Sequence, residues 1–257
     1  MNVVITGSTR GIGRGLAEQL LTRGHDVVVS GRHGVLRAAA VAELETVGSG
    51  QVSGAACDVR DPKSLQGLWD LAVERFGRVD AWVNNAGVST ARRPLWELDA
   101  DEVDAVVDTN LKGTLHGMRI ALAGMHAQGG GIVYNVEGFG SSGQKADGMA
   151  AYGATKRAVR YLNQAIGKDL ADDAVRVGVI SPGIVVTDLL TADYDGQPDK
   201  FEQAKKIFNI LGDDVETVTS FVADGIVAGK DSIHWLTRGK AARRFMTAPF
   251  TKRDLFA

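Results

Sequence analysis

Residues 6–13 read Thr6-Gly7-Ser8-Thr9-Arg10-Gly11-Ile12-Gly13, between a strand predicted at Val3–Thr6 and an amphipathic helix predicted at Gly11–Arg23. Glycines allow a backbone to approach a pyrophosphate closely, and a helix N-terminus offers unpaired N–H groups and a positive dipole end. The spacing is Gly-x-x-x-Gly-x-Gly and differs from the Gly-x-Gly-x-x-Gly of many dinucleotide enzymes. Since strand, turn and helix follow in the required order, all residues from Gly7 to Gly13 are candidate dinucleotide-binding residues.

Apolar strands alternate with helical patterns beyond this turn. Further strands are predicted at Asp26–Ser30, Val52–Ala56, Ala81–Val83, Ile132–Val136 and Val175–Ile180. The intervening helices are predicted at Leu36–Val47, Pro62–Phe76, Ala100–Ala127 and Ala151–Leu170. Such βαβ units with right-handed crossovers predict an α/β fold, a doubly wound, Rossmann-like parallel sheet with helices on both faces. No linker or repeat divides the chain, so a single NADP-binding domain is predicted over residues 1–257.

Composition narrows the class of protein. The 257 residues carry a formal net charge of -2, which argues against a dedicated nucleic-acid binder. Cys57 is the only cysteine, and no stretch approaches the ~18 apolar residues of a membrane span. With no signal-peptide pattern at the N-terminus, a cytoplasmic protein is expected. The five histidines are scattered without metal-ligand spacing, so no metal site is predicted.

The regular pattern loosens after Pro182. Residues 193–198 are a polar, turn-forming break, followed by helical segments near Lys200–Leu211 and Val215–Val227 and a short strand near Ile233–Leu236. Residues 187–211, called the lid segment below, are interpreted as a substrate lid, with a simple connecting excursion as the alternative. The basic C-terminal run around Phe245 is either an amphipathic, membrane- or anion-binding segment or a solvated terminal helix packed through Phe245. The second reading is favoured, and membrane contact is not expected.

The end of the second strand bears on the choice of cofactor. NAD enzymes usually carry an acidic residue there for the ribose 2′-hydroxyl. This chain reads Ser30-Gly31-Arg32-His33, and Arg32 together with Arg10 offers guanidinium groups that suit a 2′-phosphate. NADP(H) is therefore predicted over NAD(H), the alternative being that both arginines are ordinary surface residues.

Tyr152-Gly153-Ala154-Thr155-Lys156 carries the predicted chemistry. Tyrosine and lysine four residues apart project from one face of a helix. A free tyrosine has a pKa of roughly 10, and a nearby buried lysine cation is expected to lower that pKa toward the working range of a general acid. Surface positions on a solvated helix are the alternative interpretation of the same pair.

These features together resemble the short-chain dehydrogenase/reductase family over about residues 2–190. Besides the glycine turn and the Tyr152/Lys156 pair, the matching segments are Asp58-Val59, Asn84-Asn85-Ala86-Gly87, Asn110 and Ser181-Pro182-Gly183-Ile184-Val185-Val186-Thr187. The resemblance implies hydride transfer between a nicotinamide and a carbonyl or alcohol. It assigns proton transfer to Tyr152, ribose binding and lowering of the tyrosine pKa to Lys156, and a proton-relay water to Asn110. Asp58 and Val59 are assigned to the adenine, Asn85, Ala86 and Gly87 to the sheet end beside the cofactor, and Pro182, Gly183, Val185 and Thr187 to the nicotinamide.

The expected serine pair after the fifth strand is missing. Glu137 and Gly138 occupy those positions in Asn135-Val136-Glu137-Gly138-Phe139-Gly140-Ser141-Ser142. Glycine cannot hydrogen-bond a carbonyl through a side chain, so either Ser141 reaches back through the glycine turn, with Ser142 as the fallback, or the site works without a serine. Ser141 is favoured as the catalytic hydroxyl. Glu137 contacts substrate or is a solvated loop acid.

That departure resembles the chlorophyll(ide) b reductase branch of the family, as do Ala204–Leu211 and Ile233–Thr237. Members of this branch reduce a formyl group on a tetrapyrrole with NADPH. The resemblance thus implies an NADPH-dependent reductase of a bulky, largely apolar aldehyde or ketone. An alcohol dehydrogenase or ketoreductase for a lipid, steroid or secondary metabolite, and a non-catalytic NADP sensor, stay open. A homodimer or homotetramer is implied through the two long helices.

Overall fold

The computed structural model describes residues 1–170 and 174–256. Within them, seven parallel strands form one sheet in the order β3-β2-β1-β4-β5-β6-β9. The strands are β1 (Asn2–Ile5), β2 (Asp26–Gly31), β3 (Val52–Ala56), β4 (Ala81–Asn84), β5 (Gly131–Val136), β6 (Val175–Ser181) and β9 (Ser232–His234). A short parallel pair, β7 (Ile184–Val185) with β8 (Gly212–Asp213), lies apart from this sheet. The predicted parallel α/β fold is confirmed.

Helices cover both faces of the sheet. They are α1 (Gly11–Thr22), α2 (Gly34–Leu44), α3 (Pro62–Phe76), α4 (Ala100–Val107), α5 (Gly113–Gln128), α6 (Ala150–Asp169), α7 (Asp188–Ala192), α8 (Pro198–Leu211), α9 (Val215–Val227) and α10 (Arg238–Thr247). No helix among the described residues has the length and apolar character needed to cross a bilayer.

The alternation of strand side chains creates two apolar layers. Val3 and Ile5 point into the layer that α1 and α9 cover, whereas Val4, between them, points into the layer under α3 and α5. Both faces are therefore buried, which explains why the central strands are continuous apolar runs in the sequence. The strand order reverses direction between β1 and β4, so the loops after these two strands diverge and leave a crevice.

One buried chain of polar side chains crosses the second layer. Trp82 Nε1 donates to Asn84 Oδ1 (2.8 Å), Asn84 Nδ2 to Asn135 Oδ1 (2.8 Å), and Asn135 Nδ2 to Asn163 Oδ1 (2.6 Å). It joins β4 and β5 to α6, the helix that carries Tyr152. Because buried polar groups are costly unless paired, this chain restricts how α6 can sit on the sheet.

Two predicted elements differ in the structure. The helix predicted at Ala100–Ala127 is interrupted at Asp108–Lys112 by one turn of π-helix, which separates α4 from α5. Residues 193–198 do form a break between α7 and α8, but Asp193 and Tyr194 within it are buried. The predicted polar turn therefore faces inward at its start.

Candidate active site

A cavity of about 700 Å³ opens where the loops after β1 and β4 diverge. Most of the candidate residues from the sequence line it: Gly7, Thr9, Arg10, Gly11, Ile12, Arg32, Asp58, Val59, Asn85, Ala86, Gly87, Tyr152, Lys156, Pro182, Gly183, Val185 and Thr187. The fold thus brings residues from six separate loops and helices to one site. Within the described part of the chain, no group of three or more His, Cys, Asp or Glu side chains could hold a metal ion.

The glycine turn forms a close-packed cradle. Gly7 has φ +62°, and a Cβ there would lie 2.8 Å from Ala86 Cα. Asn85 Nδ2 donates to the carbonyl oxygens of Thr6 and Gly7, both at 2.9 Å, which locks the turn to the loop after β4. Since Gly11 also has φ +57°, side chains at these positions would be strained and would fill the cradle. The turn therefore fits a pyrophosphate at the N-terminus of α1.

Two predicted loop residues are set behind the cavity wall. Ser8 Oγ donates to the Ile5 carbonyl (2.7 Å) and accepts from Ser30 N (2.8 Å), so it joins β1 to β2. A Cβ on Gly13 would lie 2.4 Å from Asn85 Nδ2. Both residues shape the cradle from behind, and any direct contact with a cofactor stays a prediction.

Arg32 and Arg10 lie at the far end of the cavity, beyond β2. Arg10 pairs with Asp188 at 3.7 Å, but both side chains are largely exposed, so this pair contributes little. Asp58 is held by Arg60 through Nε–Oδ1 (2.9 Å) and Nη2–Oδ2 (2.6 Å) contacts, and this hydrogen bonding lowers the pKa of the Asp58 carboxyl. This end of the cavity is therefore rich in guanidinium groups.

Tyr152 and Lys156 lie on the first turns of α6 and face the cavity. Lys156 Nζ donates to the Val136 carbonyl (3.0 Å) at the end of β5, and it lies 5.8 Å from the centroid of the Tyr152 ring. The Lys156 side chain is buried, and burial lowers its pKa from 10.5 to about 8, an effect that the Glu137 charge opposes.

The tyrosine pKa is shifted opposite to the direction expected from the spacing. Burial raises the pKa of Tyr152 above its ordinary value, and the charge of Asp193 raises it further. The expected lowering by Lys156 is wrong for this arrangement, because the desolvation of the phenol outweighs any attraction to the ammonium. Tyr152 therefore holds its proton at neutral pH.

Asn110 sits in the π-turn and is buried beneath the cavity floor. Its Oδ1 accepts from Val88 N (2.8 Å), and its Nδ2 donates to Val88 O (2.9 Å) and to Thr155 Oγ1 (3.2 Å). It does not line the cavity. The amide clamps the loop after β4 to α6, and the water-anchoring role stays a prediction.

Gly138 explains the missing serine in part. A Cβ at this position would lie 2.4 Å from the Tyr152 hydroxyl oxygen, so a larger residue would displace the phenol. Ser141 is buried and absent from the cavity wall. Its hydroxyl donates to the Gly138 carbonyl (2.6 Å) and lies 3.4 Å from Glu137 Oε2. The structure thus does not bring Ser141 against Tyr152, and its catalytic role stays a prediction.

Glu137 is not a solvated loop acid. It is buried, lines the cavity, and pairs with Arg160 Nη1 at 3.2 Å from Oε2. Arg160 also donates to Ser142 Oγ (2.9 Å), which turns the fallback serine toward α6. The loop after β5 therefore carries a buried carboxylate at a position where a hydroxyl is usual. The sequence left open whether Glu137 contacts the site or solvent, and the structure has it in the cavity wall.

The lid segment supplies the opposite wall. Leu189, Leu190, Ala204, Ile207 and Phe208 line the cavity with apolar surface, a pattern compatible with the proposed lid. The cavity wall also contains a polar group that the sequence analysis did not identify, formed by Ser89, Arg92, Asp193 and Tyr194. Burial raises the pKa of Asp193 to about 6. An acid and an aromatic residue at the start of a polar break were the only available signal.

The C-terminal helix is anchored differently from the prediction. Phe245 is 49% exposed, so α10 does not pack through it. Instead Arg244 and Arg253 hold the buried Asp213 in β8, each with an Nη2–Oδ1 contact (2.9 and 2.8 Å). Two members of the basic run are thus structural ion-pair partners.

The fold has a Rossmann-like core, with the cavity at the point where the strand order reverses. A family model described as short chain dehydrogenase matches residues 1–198. The chain belongs to this family.

Individual proteins with known names or structures show the same likeness. The chloroplastic chlorophyll(ide) b reductase NOL of Oryza sativa subsp. japonica is 37% identical over 88% of this chain and 66% of its own length. An NADPH-dependent pterin aldehyde reductase of Arabidopsis thaliana is 34% identical over 75% of this chain and 78% of its own. The closed form of a serine dehydrogenase complexed with NADP+ has a TM-score of 0.77 at 25% identity, covering 92% and 95% of the two chains. The chain spans between 46% and 66% of the length of the chlorophyll(ide) b reductases it matches.

Proposed function

We propose that the chain is an NADPH-dependent reductase of a bulky, largely apolar aldehyde, with a formyl tetrapyrrole as the leading example. The observation that carries the proposal is one shared cavity: the glycine cradle and the Tyr152/Lys156 pair face the apolar wall formed by the lid segment. The volume of about 700 Å³ is within the usual range for sites that enclose a cofactor or substrate of this size.

The direction of reaction follows from the state of the phenol. The bound nicotinamide supplies the hydride, so the chain itself must supply the proton that the carbonyl oxygen needs. Because burial raises the pKa of Tyr152, its hydroxyl is protonated at neutral pH and is suited to donate that proton. The protonated phenol is the form that carbonyl reduction requires, which supports the reductive direction.

The remaining site residues act on the tyrosine and on the cofactor. The Lys156 ammonium, already tied to the Val136 carbonyl, is free to donate to a ribose hydroxyl with its other protons. Asn110 holds Thr155, whose hydroxyl donates to the Tyr152 carbonyl (2.7 Å), so it fixes the first turn of α6. Ser141 stays the candidate second donor to the carbonyl oxygen, and the loop after β5 must move to bring its hydroxyl from the Gly138 carbonyl to the cavity.

The NADPH preference rests on charge at the far end of the cavity. Arg32 follows β2 where an NAD enzyme would present a carboxylate, and a guanidinium can bind a 2′-phosphate through two parallel hydrogen bonds. The NADP+ bound to the similar serine dehydrogenase and the NADPH named for the pterin aldehyde reductase support the same preference.

The substrate class draws on the relatives. One similar protein is named a reductase of chlorophyll(ide) b and another a reductase of a pterin aldehyde, so both names point to heterocyclic substrates. A wall that combines apolar lid residues with a small polar group suits such a molecule.

We also propose a cytoplasmic location and a homodimer or homotetramer formed through α5 and α6, where Leu115 and Tyr161 are exposed.

The test compares wild type with Tyr152→Phe in an assay of NADPH oxidation against a panel of aryl and polycyclic aldehydes. Loss of the proton donor is expected to lower kcat by about 10²-fold or more, since general acid catalysis contributes that much. The affinity for NADPH, followed by fluorescence titration, is expected to stay within a few-fold. Retained activity in the variant, or tight NADPH binding by wild type without turnover of any aldehyde, contradicts the proposal. The second result would favour an NADP sensor.

A further inference from the structure

Arg92 is held in place by backbone contacts on two sides. It lies in the loop after β4, where its backbone N–H donates to the Asp193 carbonyl of the lid segment (3.2 Å). On the other side, Gly148 has φ +71°, and a Cβ there would lie 2.6 Å from the Arg92 carbonyl carbon. Only glycine permits this approach at that conformation. The position of the Arg92 Cα is therefore set by the fold rather than by its side chain.

The side chain is oriented but incompletely paired. The guanidinium carbon lies 4.6 Å from the centroid of the Tyr194 ring, a cation–π contact that holds the group flat. Arg92 Nε is buried and has no hydrogen-bond partner in the described residues. Asp193 lies close enough for the Arg92 charge to lower its pKa, yet the Asp193 carboxyl accepts from Ser89. The charged guanidinium of Arg92 thus has a donor without an acceptor in the described residues.

In contrast to Arg92, the neighbouring Arg93 has partners for its guanidinium group. Arg93 donates to the Glu97 carbonyl (2.9 Å) and pairs with Glu102 Oε2 (2.5 Å). It does not line the cavity, whereas Arg92 does. A guanidinium that lines a cavity without a hydrogen-bonded partner among the described residues is available to an anionic ligand.

The location of Arg92 identifies which ligand that is. Its contacts, Asp193, Tyr194 and Gly148, belong to the lid segment and to the approach to α6. None of these three residues, nor Arg92 itself, is among the candidate cofactor-binding residues. An anion that binds Arg92 is therefore assigned to the substrate and not to the cofactor.

We propose that Arg92 is the specificity-determining anion-binding residue of the substrate cavity, and that the substrate is an aldehyde whose apolar body carries a carboxylate. The inference rests on the proposed function, because it places the carbonyl at Tyr152 and the carboxylate at Arg92. The two terminal Nη groups of Arg92, which have no hydrogen bond among the described residues, present parallel N–H donors that match the two oxygens of a carboxylate. The carboxylate thus supplies the acceptors that these donors lack.

The first experiment measures discrimination during turnover. A series of formyl arenes bearing a carboxylate on linkers of increasing length, and their methyl esters, are assayed with NADPH. For at least one length, wild type is expected to prefer the carboxylate over its ester in kcat/KM by about tenfold or more, as a hydrogen bond to a charged group allows. Arg92→Gln is expected to bring that ratio close to one while the ester rate changes little. Arg93→Gln is the matched control and should keep the wild-type ratio. Equal ratios in wild type and Arg92→Gln overturn the inference.

A second experiment separates this inference from the proposed function. The same carboxylates are titrated calorimetrically into the NADP+-loaded protein, which requires no turnover. We expect Arg92→Gln to weaken binding by about tenfold, and Arg92→Lys to give an intermediate loss because an ammonium keeps the charge without the fork. Unchanged dissociation constants in both variants overturn the role of Arg92. Absence of turnover with intact, Arg92-dependent binding contradicts only the proposed reaction.

Discussion

Two neighbouring residues, Glu137 and Gly138, determine the surroundings of Tyr152 and Lys156. The absence of a side chain at Gly138 allows the Tyr152 hydroxyl to occupy the space of a would-be Cβ, 2.4 Å from its ideal position. The adjacent Glu137 introduces a buried negative charge, partly neutralised by Arg160. This charge raises the pKa of Lys156 against the effect of burial, so Glu137 is expected to influence catalysis through the lysine.

A pH profile tests this coupling. With a pKa of about 8, Lys156 is charged below that pH and loses its proton as the pH rises through it, so kcat/KM is expected to fall on the alkaline side near pH 8. Glu137→Gln removes the charge that favours the ammonium, and the alkaline limb should move to lower pH. Glu45→Gln, at an exposed position directly after the C-terminal end of α2, should leave the profile unchanged. An unshifted limb in Glu137→Gln would show that the carboxylate does not act on Lys156.

At this scale, the sequence predicts what depends on local spacing. The glycine turn and the Tyr152/Lys156 pair were identified because each is a short segment whose geometry follows from one helix or one turn. Arg92 and Asp193 could not be identified, because their meeting depends on a backbone contact between segments a hundred residues apart. The tyrosine pKa was predicted with the wrong sign because burial, not spacing, dominates it.

The α8 helix is held down by the C-terminal segment. The Phe256 ring lies 5.4 Å from Phe201 in an edge-on arrangement and 6.2 Å from Phe208, which also lines the cavity. Asn209 Oδ1 accepts from Leu255 N at 3.0 Å. The lid segment is thus fastened at its solvent side by residues from the end of the chain.

Hydrogen exchange can test this fastening. Phe256→Ala removes an edge-on aromatic contact worth about 0.5–1.5 kcal/mol, so the amides of α8 should exchange roughly 2- to 10-fold faster. The KM for an aldehyde is expected to rise while NADPH binding is preserved. Phe250→Ala is the control, because that ring is 90% exposed. Equal exchange of α8 in both variants would mean that the tail does not hold the helix.

The bounds of the helices show where a sequence pattern no longer predicts the local structure. The α9 helix was predicted with its observed bounds, since its apolar positions keep a regular period. The interruption at Asp108–Lys112 was missed, because one extra residue in a turn hardly disturbs an apolar pattern over nearly thirty residues. Yet that turn is what brings Asn110 to Val88 and Thr155.

At the scale of the molecule, the site is assembled at the point where the sheet changes direction. The parallel sheet and its helices follow from alternating patterns and were predicted, whereas the β7–β8 pair was not, because two-residue strands carry no periodic signal. Because β1 and β2 each contribute a loop to the cofactor end, cofactor binding is expected to stabilise the whole domain.

Thermal unfolding with each cofactor tests whether cofactor binding stabilises the domain and whether NADPH is preferred over NADH. At 100 times its dissociation constant a ligand adds about 2.7 kcal/mol, which corresponds to roughly 5–10 °C in Tm for a domain of this size. At equal concentrations NADPH should raise Tm more than NADH, and Arg32→Ala should remove the difference. Arg238→Ala on α10 is the control. Equal shifts with the two cofactors in wild type contradict the preference.

The buried chain from Trp82 through Asn84 and Asn135 to Asn163 has an evolutionary consequence. The two inner amides, Asn84 and Asn135, each accept a hydrogen bond on oxygen and donate one from nitrogen, so the chain has a direction. A leucine at either inner position leaves both neighbours without a partner, whereas an aspartate keeps the hydrogen bond that it accepts and loses the one that it would donate. We therefore expect these positions to be substituted together or not at all in related proteins. The same constraint applies to the position of α6, the helix that carries Tyr152.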